Sequence, residues 1–288
     1  MTIDRRIIDT LREADKFLLV CHISPDIDAL GSMLALAIAL RKVGKDVVTY
    51  NTDGVTDKAL FLPGATDVVT KLDSRRRFDV TVLLDAGTPD RFGSVMEKKY
   101  RKMLGTIIKV DHHLTGKPIG DLEYVDSERS STGELVADII HHYPIELNHD
   151  MATCIYAAIV SDTGSFRYSN TNAQTFACAA TMLAQNISPW EISTNLYENR
   201  PVEEMKLLAK TLNTLDVSAC GHFSSLEVTQ DMMTESGAES YMLDGFVNFA
   251  RSIAGVEVAI LIYEKEPGVV KVSMRSKGYV NVAAIAEA

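Results

Sequence analysis

Phe17-Leu18-Leu19-Val20-Cys21-His22-Ile23-Ser24-Pro25-Asp26-Ile27-Asp28-Ala29-Leu30-Gly31-Ser32 is the stretch that decides the fold. Its first five residues are apolar without alternation, the pattern of a strand buried on both faces of a sheet. A short polar turn follows, and residues 29–43 then read as a helix rich in Ala and Leu. Gly44 stops that helix, because glycine takes the left-handed position past a helix C-terminus without steric cost. Further strand-like runs lie at 47–50, 80–84 and 106–110, each followed by Gly, Pro, Asp or His. Helical patterns fall between several of them and continue over 132–142, 150–160 and 173–184, after a first helix over 4–14. Strands alternating with helices predict an α/β domain on a mostly parallel sheet flanked by helices.

The texture changes near Ile187-Ser188-Pro189. Residues 202–215 predict one further helix. Past Cys220 come strands at 223–228, 256–263 and 269–274, with a helix over 240–253. Glu266-Pro267-Gly268, between the last two strands, has hairpin-turn chemistry. The chain of 288 residues also exceeds one comfortable core at roughly 100–200 residues per domain. The expected organisation is an N-terminal α/β domain over 1–187, a helical linker over 188–218 and a smaller α+β domain over 219–288. Asn281 can cap a closing helix that stops after about two turns at Ala288, so the second domain is expected to be cut short there.

Hydrophobic residues make up 46% and charged residues 24%, a globular composition that excludes disorder, collagen-like repeats and coiled coil. Asp and Glu number 39 against 29 Lys and Arg, a formal charge of −10. Such a chain has no basic footprint for long nucleic acid, which excludes long duplexes as partners. A small anionic ligand held by a few local cations is not excluded. Cys21, Cys154, Cys178 and Cys220 form no C-x-x-C pair, which argues against a zinc knuckle and for reduced thiols in a cytoplasmic protein. The residues from Met1-Thr2 onward lack the apolar core of a signal peptide, and no apolar run reaches the roughly 18 residues of a membrane span.

Open parallel sheets build ligand sites beyond the C-terminal ends of their strands. Past its end, the first strand leads to His22, Asp26 and Asp28. The 80–84 strand leads to Asp85 and the 106–110 strand to Asp111-His112-His113, while the 150–160 helix runs into Ser161-Asp162-Thr163-Gly164. Any one of these is ordinary; Asp28 could simply cap the following helix. Together they put five Asp and three His at one sheet edge, where the carboxylates would repel one another unless cations neutralised them. Carboxylate with imidazole and no thiolate suits Mn²⁺, Mg²⁺, Fe²⁺ or Co²⁺ rather than a structural zinc. More ligands than one ion needs, around a strand-end Asp, point to two ions sharing a bridge. That arrangement clamps the oxygens of an in-line phosphoryl displacement.

In this order, His22 with Asp26-Ile27-Asp28-Ala29-Leu30-Gly31-Ser32, then Asp85, then Asp111-His112-His113, then Ser161-Asp162-Thr163-Gly164, the sequence resembles the DHH phosphoesterase superfamily. Gly164-Ser165-Phe166-Arg167-Tyr168-Ser169-Asn170-Thr171 and Met274-Arg275-Ser276-Lys277-Gly278 are most similar to one branch of it. That branch comprises bifunctional oligoribonucleases (nanoRNases) that are also phosphatases of 3′-phosphoadenosine 5′-phosphate (pAp). The resemblance implies a DHH catalytic domain followed, after a helical linker, by a DHHA1-like domain. It implies two Mn²⁺, with Mg²⁺ or Co²⁺ as substitutes. His22, Asp26 and Asp85 would hold the first ion, and Asp28, Asp85, His112 and Asp162 the second, with Asp85 bridging. His113 is implied to face the substrate phosphate as a donor, and Asp111 to orient the histidines. The implied reaction is attack by a hydroxide held between the ions, cleaving short oligoribonucleotides to mononucleotides and pAp to AMP. Members of the branch continue past the Arg275 region into a Gly-rich segment with a His. This chain reaches Ala288 before any such motif, so grip on short RNA is expected to be impaired while the metal chemistry persists.

Four residues are candidates on the substrate side. Arg91 follows the Asp85 strand and could meet a phosphate, while the resemblance implies that the second domain holds the far end of a substrate, which makes Arg275 and Lys277 candidates there. Ser131, in Ser130-Ser131-Thr132-Gly133-Glu134, is first of all a helix cap, at a terminus whose N–H groups could receive an anion. Arg75-Arg76-Arg77, His141-His142, His149 and His222 need no site role. A cyclic- or linear-dinucleotide phosphodiesterase would share the metal site and is the nearest rival. A pyrophosphatase would want denser Lys and Arg in the second domain, and a processive exonuclease a basic channel that −10 disfavours. A catalytically impaired nucleotide-binding module is opposed by the intact set of candidate ligands. The sequence leaves a homodimer open.

Overall fold

The computed structural model describes residues 3–96, 100–113, 116–143 and 145–287; Met1-Thr2 and Ala288, on which the readings of the chain ends touch, lie outside them. The chain forms two compact units, Met1–Glu198 and Asn199–Ala288. The helical stretch expected as a linker is divided between them at residue 198.

In the first unit, helix α1 (Arg5–Glu13) precedes strand β1 (Lys16–Cys21), helix α2 (Ile27–Lys42) and strand β2 (Asp46–Tyr50). Strands β3 (Val80–Leu84), β4 (Thr106–Asp111) and β5 (Leu122–Val125) follow. Helices α3 (Thr132–His142), α4 (His149–Asp162), α5 (Ala173–Leu183) and α6 (Pro189–Tyr197) complete it. Among the described residues the sheet has five strands in the order β2-β1-β3-β4-β5, and every pairing is parallel. The short edge strand β5 had no clear sequence signal.

Register is what places the site. Cys21 pairs with Leu84, and Leu84 with Val110, so the next residues along, His22, Asp85 and Asp111, lie side by side at the C-terminal edge of the sheet. The chain runs from β1 outward to β2 and returns to β3 on the other side of β1. The crevice between β1 and β3 is therefore a topological switch point, where open sheets bind ligands.

Helices α1 to α4 cover one face of the sheet, where Leu19, Val82, Ile108 and Val110 join Leu30, Leu34 and Ile155 in the main core. The other face, with Leu18, Val20, Leu83 and Ile107, is covered by Phe92, Val95, Met103 and Leu104, which belong to short 3-10 turns and their flanks. Gly31 lets α2 approach α4 backbone to backbone. A Cβ there would lie 2.6 Å from the Cys154 carbonyl oxygen and 3.3 Å from the Ala158 Cβ.

The second unit contains α7 (Val202–Leu212), β6 (Asp216–Val217), β7 (Phe223–Val228) and α8 (Gln230–Ser236). It continues with α9 (Phe246–Arg251), β8 (Val258–Glu266), β9 (Val269–Ser276) and α10 (Val282–Glu287). Its sheet order is β6-β7-β8-β9, with β7 and β8 parallel and the flanking pairs antiparallel. Leu207, Leu226, Phe246, Ala259 and Leu261 are central to its core. The single helix expected over 240–253 is broken in two, because Gly245 turns left-handed (φ 82°) between a 3-10 turn at Ser240–Leu243 and α9. Asn281 does cap α10, accepting the Ala284 N–H at 3.1 Å.

Candidate active site

Asp85 is the centre of the first unit's polar edge. It is buried, and its backbone is left-handed (φ 64°), a conformation Asp tolerates better than most residues and one found at functional sites. The kink divides the carboxylate between two neighbourhoods. Oδ2 lies 3.5 Å from His22 Nε2, while Oδ1 lies 3.6 Å from His112 Nε2 and 3.8 Å from His113 Nδ1.

On the first side, His22 Nε2 also stands 3.7 Å from Asp26 Oδ2. The other ring nitrogen, Nδ1, is 2.8 Å from the Ile23 carbonyl. A carbonyl can only accept, so in the neutral ring Nδ1 carries the proton and Nε2 points a lone pair at the carboxylates. The backbone under His22 is pinned by the buried Asn51 at the end of β2, whose amide donates to the His22 carbonyl at 2.8 Å. Asp26 serves twice, as N-cap of α2 through the Ala29 N–H at 2.9 Å and as a neighbour of His22.

On the second side, His112 Nε2 faces Asp162 Oδ2 at 3.3 Å and Asp28 Oδ2 at 3.7 Å. Its Nδ1 sits 3.3 Å from the Arg129 carbonyl, which again leaves Nε2 for the cluster. Asp28 is not a cap for its own helix. It is the second residue of α2 and accepts the N–H groups of Thr132 (2.8 Å, to Oδ2) and Gly133 (3.0 Å, to Oδ1) at the start of α3. Asp162 comes from the last turn of α4.

These groups form three overlapping sets, His22 with Asp26 and Asp85, Asp28 with His112 and Asp162, and Asp85 with His112 and His113. Within each set the ligand atoms lie within 4.8 Å of one another. Burial and mutual repulsion shift the titration of these groups. Burial, then the charges of Asp85 and Asp162, pushes Asp28 well above the ordinary carboxylate range. Burial and the charges of Asp85 and Asp26 push Asp162 up to about 7. Burial opposes the charge on His22, but Asp26 and Asp85 outweigh it and raise the imidazolium to about 10. Carboxylates crowded in this way favour the binding of cations, which neutralise them. The donor set of carboxylate oxygens and imidazole nitrogens fits hard or borderline divalent ions. Cys21, the nearby thiol, is buried and hydrogen-bonded to Asn51, and burial pushes its pKa up.

His113 is turned differently from His112. Its Nδ1 is 2.7 Å from Asp111 Oδ1, and that bond is the main reason its pKa rises to about 9. Its side chain is half exposed, whereas Asp111 is fully buried. Burial would raise the Asp111 carboxyl, but His113 and Lys109 hold it below its usual range. Lys109, two residues earlier on β4, is itself buried, with its ammonium 3.1 Å from Asp111 Oδ2. Lys109 and Asn51 had no role in the sequence reading, and Thr132 was read only as part of a helix start. A lysine inside the apolar run Thr106-Ile107-Ile108-Lys109-Val110 was the available signal for the first.

The substrate-side candidates fare differently. Arg91 stands at the site, its Nη2 3.1 Å from His22 Nδ1 and its carbonyl accepting the Ile23 N–H at 2.7 Å. Ser131 is fully buried, its Oγ accepts the Glu134 N–H, and the helix terminus it caps gives the Thr132 and Gly133 N–H groups to Asp28. Arg275 and Lys277 belong to the second unit. Arg275 is exposed on β9, and the Lys277 ammonium donates to the Ile253 carbonyl at 2.9 Å.

Residues 16–159 match the DHH family, N-terminal domain. The chain belongs to that family and is a hydrolytic phosphoesterase. It is 32% identical over 265 residues to the bifunctional oligoribonuclease and PAP phosphatase NrnA of Thermus thermophilus, across 92% of this chain and 77% of that protein. It is 25% identical over 298 residues to the cyclic-di-AMP phosphodiesterase GdpP of Geobacillus thermodenitrificans, across 97% of this chain but 43% of that protein. Among solved structures, an exopolyphosphatase-related protein from Bacteroides fragilis superposes with a TM-score of 0.88 at 26% identity, over 95% of this chain and 84% of that one. Among the described residues, no helix is long and apolar enough to cross a membrane.

Proposed function

We propose that the chain hydrolyses phosphoester bonds in small nucleotides, cleaving short oligoribonucleotides to mononucleotides and pAp to AMP, with two divalent cations, Mn²⁺ foremost. His22, Asp26 and Asp85 would hold one ion, and Asp28, Asp85, His112 and Asp162 the other. The observation that carries this reading is the divided Asp85 carboxylate, one oxygen facing each set of neighbours. The ions would supply charge neutralisation, activation of a water and polarisation of the phosphoryl oxygen.

The chain's own residues account for the remaining work. With Nδ1 committed to Asp111, His113 has Nε2 left to donate a proton to the leaving oxygen. The Asp111 bond, the first cause of the raised His113 pKa, favours the charged ring that carries that proton. Asp111 holds the ring, and Lys109 shares the Asp111 charge. Arg91 is proposed to bind a substrate phosphate from beside His22, and Arg275 and Lys277 are proposed as further phosphate ligands carried by the second unit. Reduced thiols and nucleotide substrates suit the cytoplasm.

The similarity to a cyclic-di-AMP phosphodiesterase supports a second reading with the same metal site and a cyclic dinucleotide as substrate. Comparing kcat/KM with Mn²⁺ for pAp, RNA of two to five nucleotides, a longer RNA and cyclic di-AMP separates the two. Preference for pAp and the shortest RNA supports the first reading, and preference for the cyclic dinucleotide replaces it. Arg91→Ala is expected to raise KM more than it lowers kcat.

A further inference from the structure

Thr132 hydrogen-bonds to both carboxylates at the heart of the cluster. It is the first residue of α3 and is fully buried. Its N–H donates to Asp28 Oδ2 at 2.8 Å, and its hydroxyl donates to Asp85 Oδ1 at 2.9 Å. The hydroxyl bond crosses 47 residues of sequence, joining the end of β3 to the start of α3.

We propose that Thr132 is a positioning residue that makes Asp85 a shared carboxylate rather than a two-oxygen ligand of one ion. The inference rests on the two-ion reading above. An aspartate carboxylate rotates easily about its last side-chain bond, a broad and nearly two-fold torsion. A donor fixed on Oδ1 stops that rotation and occupies one of the oxygen's two lone-pair directions. One direction on Oδ1 then remains on the His112 side, while Oδ2 stays turned toward His22. Because the same residue's N–H holds Asp28, the spacing between the two carboxylates is set by one rigid turn of helix rather than by two independent side chains. Without the hydroxyl, both Asp85 oxygens can turn to a single ion and the second loses its shared ligand.

The test uses the full chain stripped with EDTA and titrated with Mn²⁺ by calorimetry, with melting curves in EDTA to confirm folding. Thr132→Val keeps the shape and removes the hydroxyl; Thr132→Ala removes both; Thr132→Ser keeps the hydroxyl and loses the methyl. Wild type and Thr132→Ser are expected to bind two ions. Thr132→Val and Thr132→Ala are expected to bind the second ion about 10–100-fold more weakly, the usual cost of losing a partner that orients a ligand. Grouping by volume, with Val like wild type and Ser like Ala, overturns the proposal, as does wild-type affinity for both ions in all variants. If wild type itself binds no Mn²⁺, the two-ion reading fails and this inference falls with it. The Ser and Ala pair isolates the hydroxyl should the Val variant not fold.

Discussion

Lys109→Met removes the ammonium from a buried ion pair without removing its volume. The Lys109 and Asp111 side chains are 3% and 0% exposed, so the loss is not screened by water. Stripping one partner from such a pair costs about 3–5 kcal/mol. Asp111 keeps the His113 ring at 2.7 Å and the His113 N–H at 3.2 Å, which places the expected cost at the low end, about 3 kcal/mol. Urea unfolding in EDTA at pH 7, followed by fluorescence, reads this directly, because the chain's single tryptophan, Trp190, lies on α6 in the first unit. Asp111 has a lowered pKa in the folded protein, so its contribution to stability is present above its unfolded value and lost as pH falls through the folded one. The gap between wild type and Lys109→Met should therefore narrow below about pH 4. Adding Asp111→Asn to Lys109→Met should cost less than the sum of the two single changes, since the stranded charge is gone. A loss under about 1 kcal/mol, or strict additivity, would refute a buried charge pair here.

Four further outcomes follow from the same geometry. Metal uptake must displace protons from His22, Asp28 and Asp162, so Mn²⁺ affinity should rise from pH 6 to 9 and calorimetric heats should vary with buffer ionisation enthalpy; pH-independent affinity would contradict the protonated cluster. In EDTA the sign reverses: His22 and Asp162 have folded-state pKa values above their unfolded ones, so their contribution falls as pH rises through about 7 and toward 10, and the melting temperature should drop over that range. Asp85→Asn keeps a residue that tolerates the left-handed backbone; it should abolish cation-dependent hydrolysis while leaving stability in EDTA within about 1 kcal/mol of wild type or higher, measured by urea titration. Gly31→Ala drives a methyl against the Cys154 carbonyl and should cost about 1–3 kcal/mol with weakened Mn²⁺ binding, because α2 and α4 carry Asp28 and Asp162.

The parts of this structure that were legible in the sequence are those written locally. Apolar runs ending in Asp or His mark β1, β3 and β4, and parallel strands in register bring such ends together without further information. The start of α3 was readable from its Ser131 cap. What stayed hidden depends on contacts distant in sequence. Thr132 looks like any first-turn residue until Asp85 is placed beside it, and the same terminus looked open to a substrate until Asp28 filled it. Gly245 breaks a helical pattern over 240–253 whose apolar spacing is otherwise continuous, because a single left-handed residue outweighs periodicity. The stretch 89–104 carried no named element in the sequence, and 3-10 turns there let Phe92, Val95, Met103 and Leu104 close the core on that face of the sheet in short segments.

The most direct measurement is the initial rate of AMP release from pAp by EDTA-stripped protein as free Mn²⁺ is raised. No turnover before the ion is added and a saturable rise afterwards is the expected result. Equal rates with and without EDTA, or no AMP at any concentration of Mn²⁺, Mg²⁺ or Co²⁺, would contradict the assignment of this cluster as a two-ion phosphoesterase site.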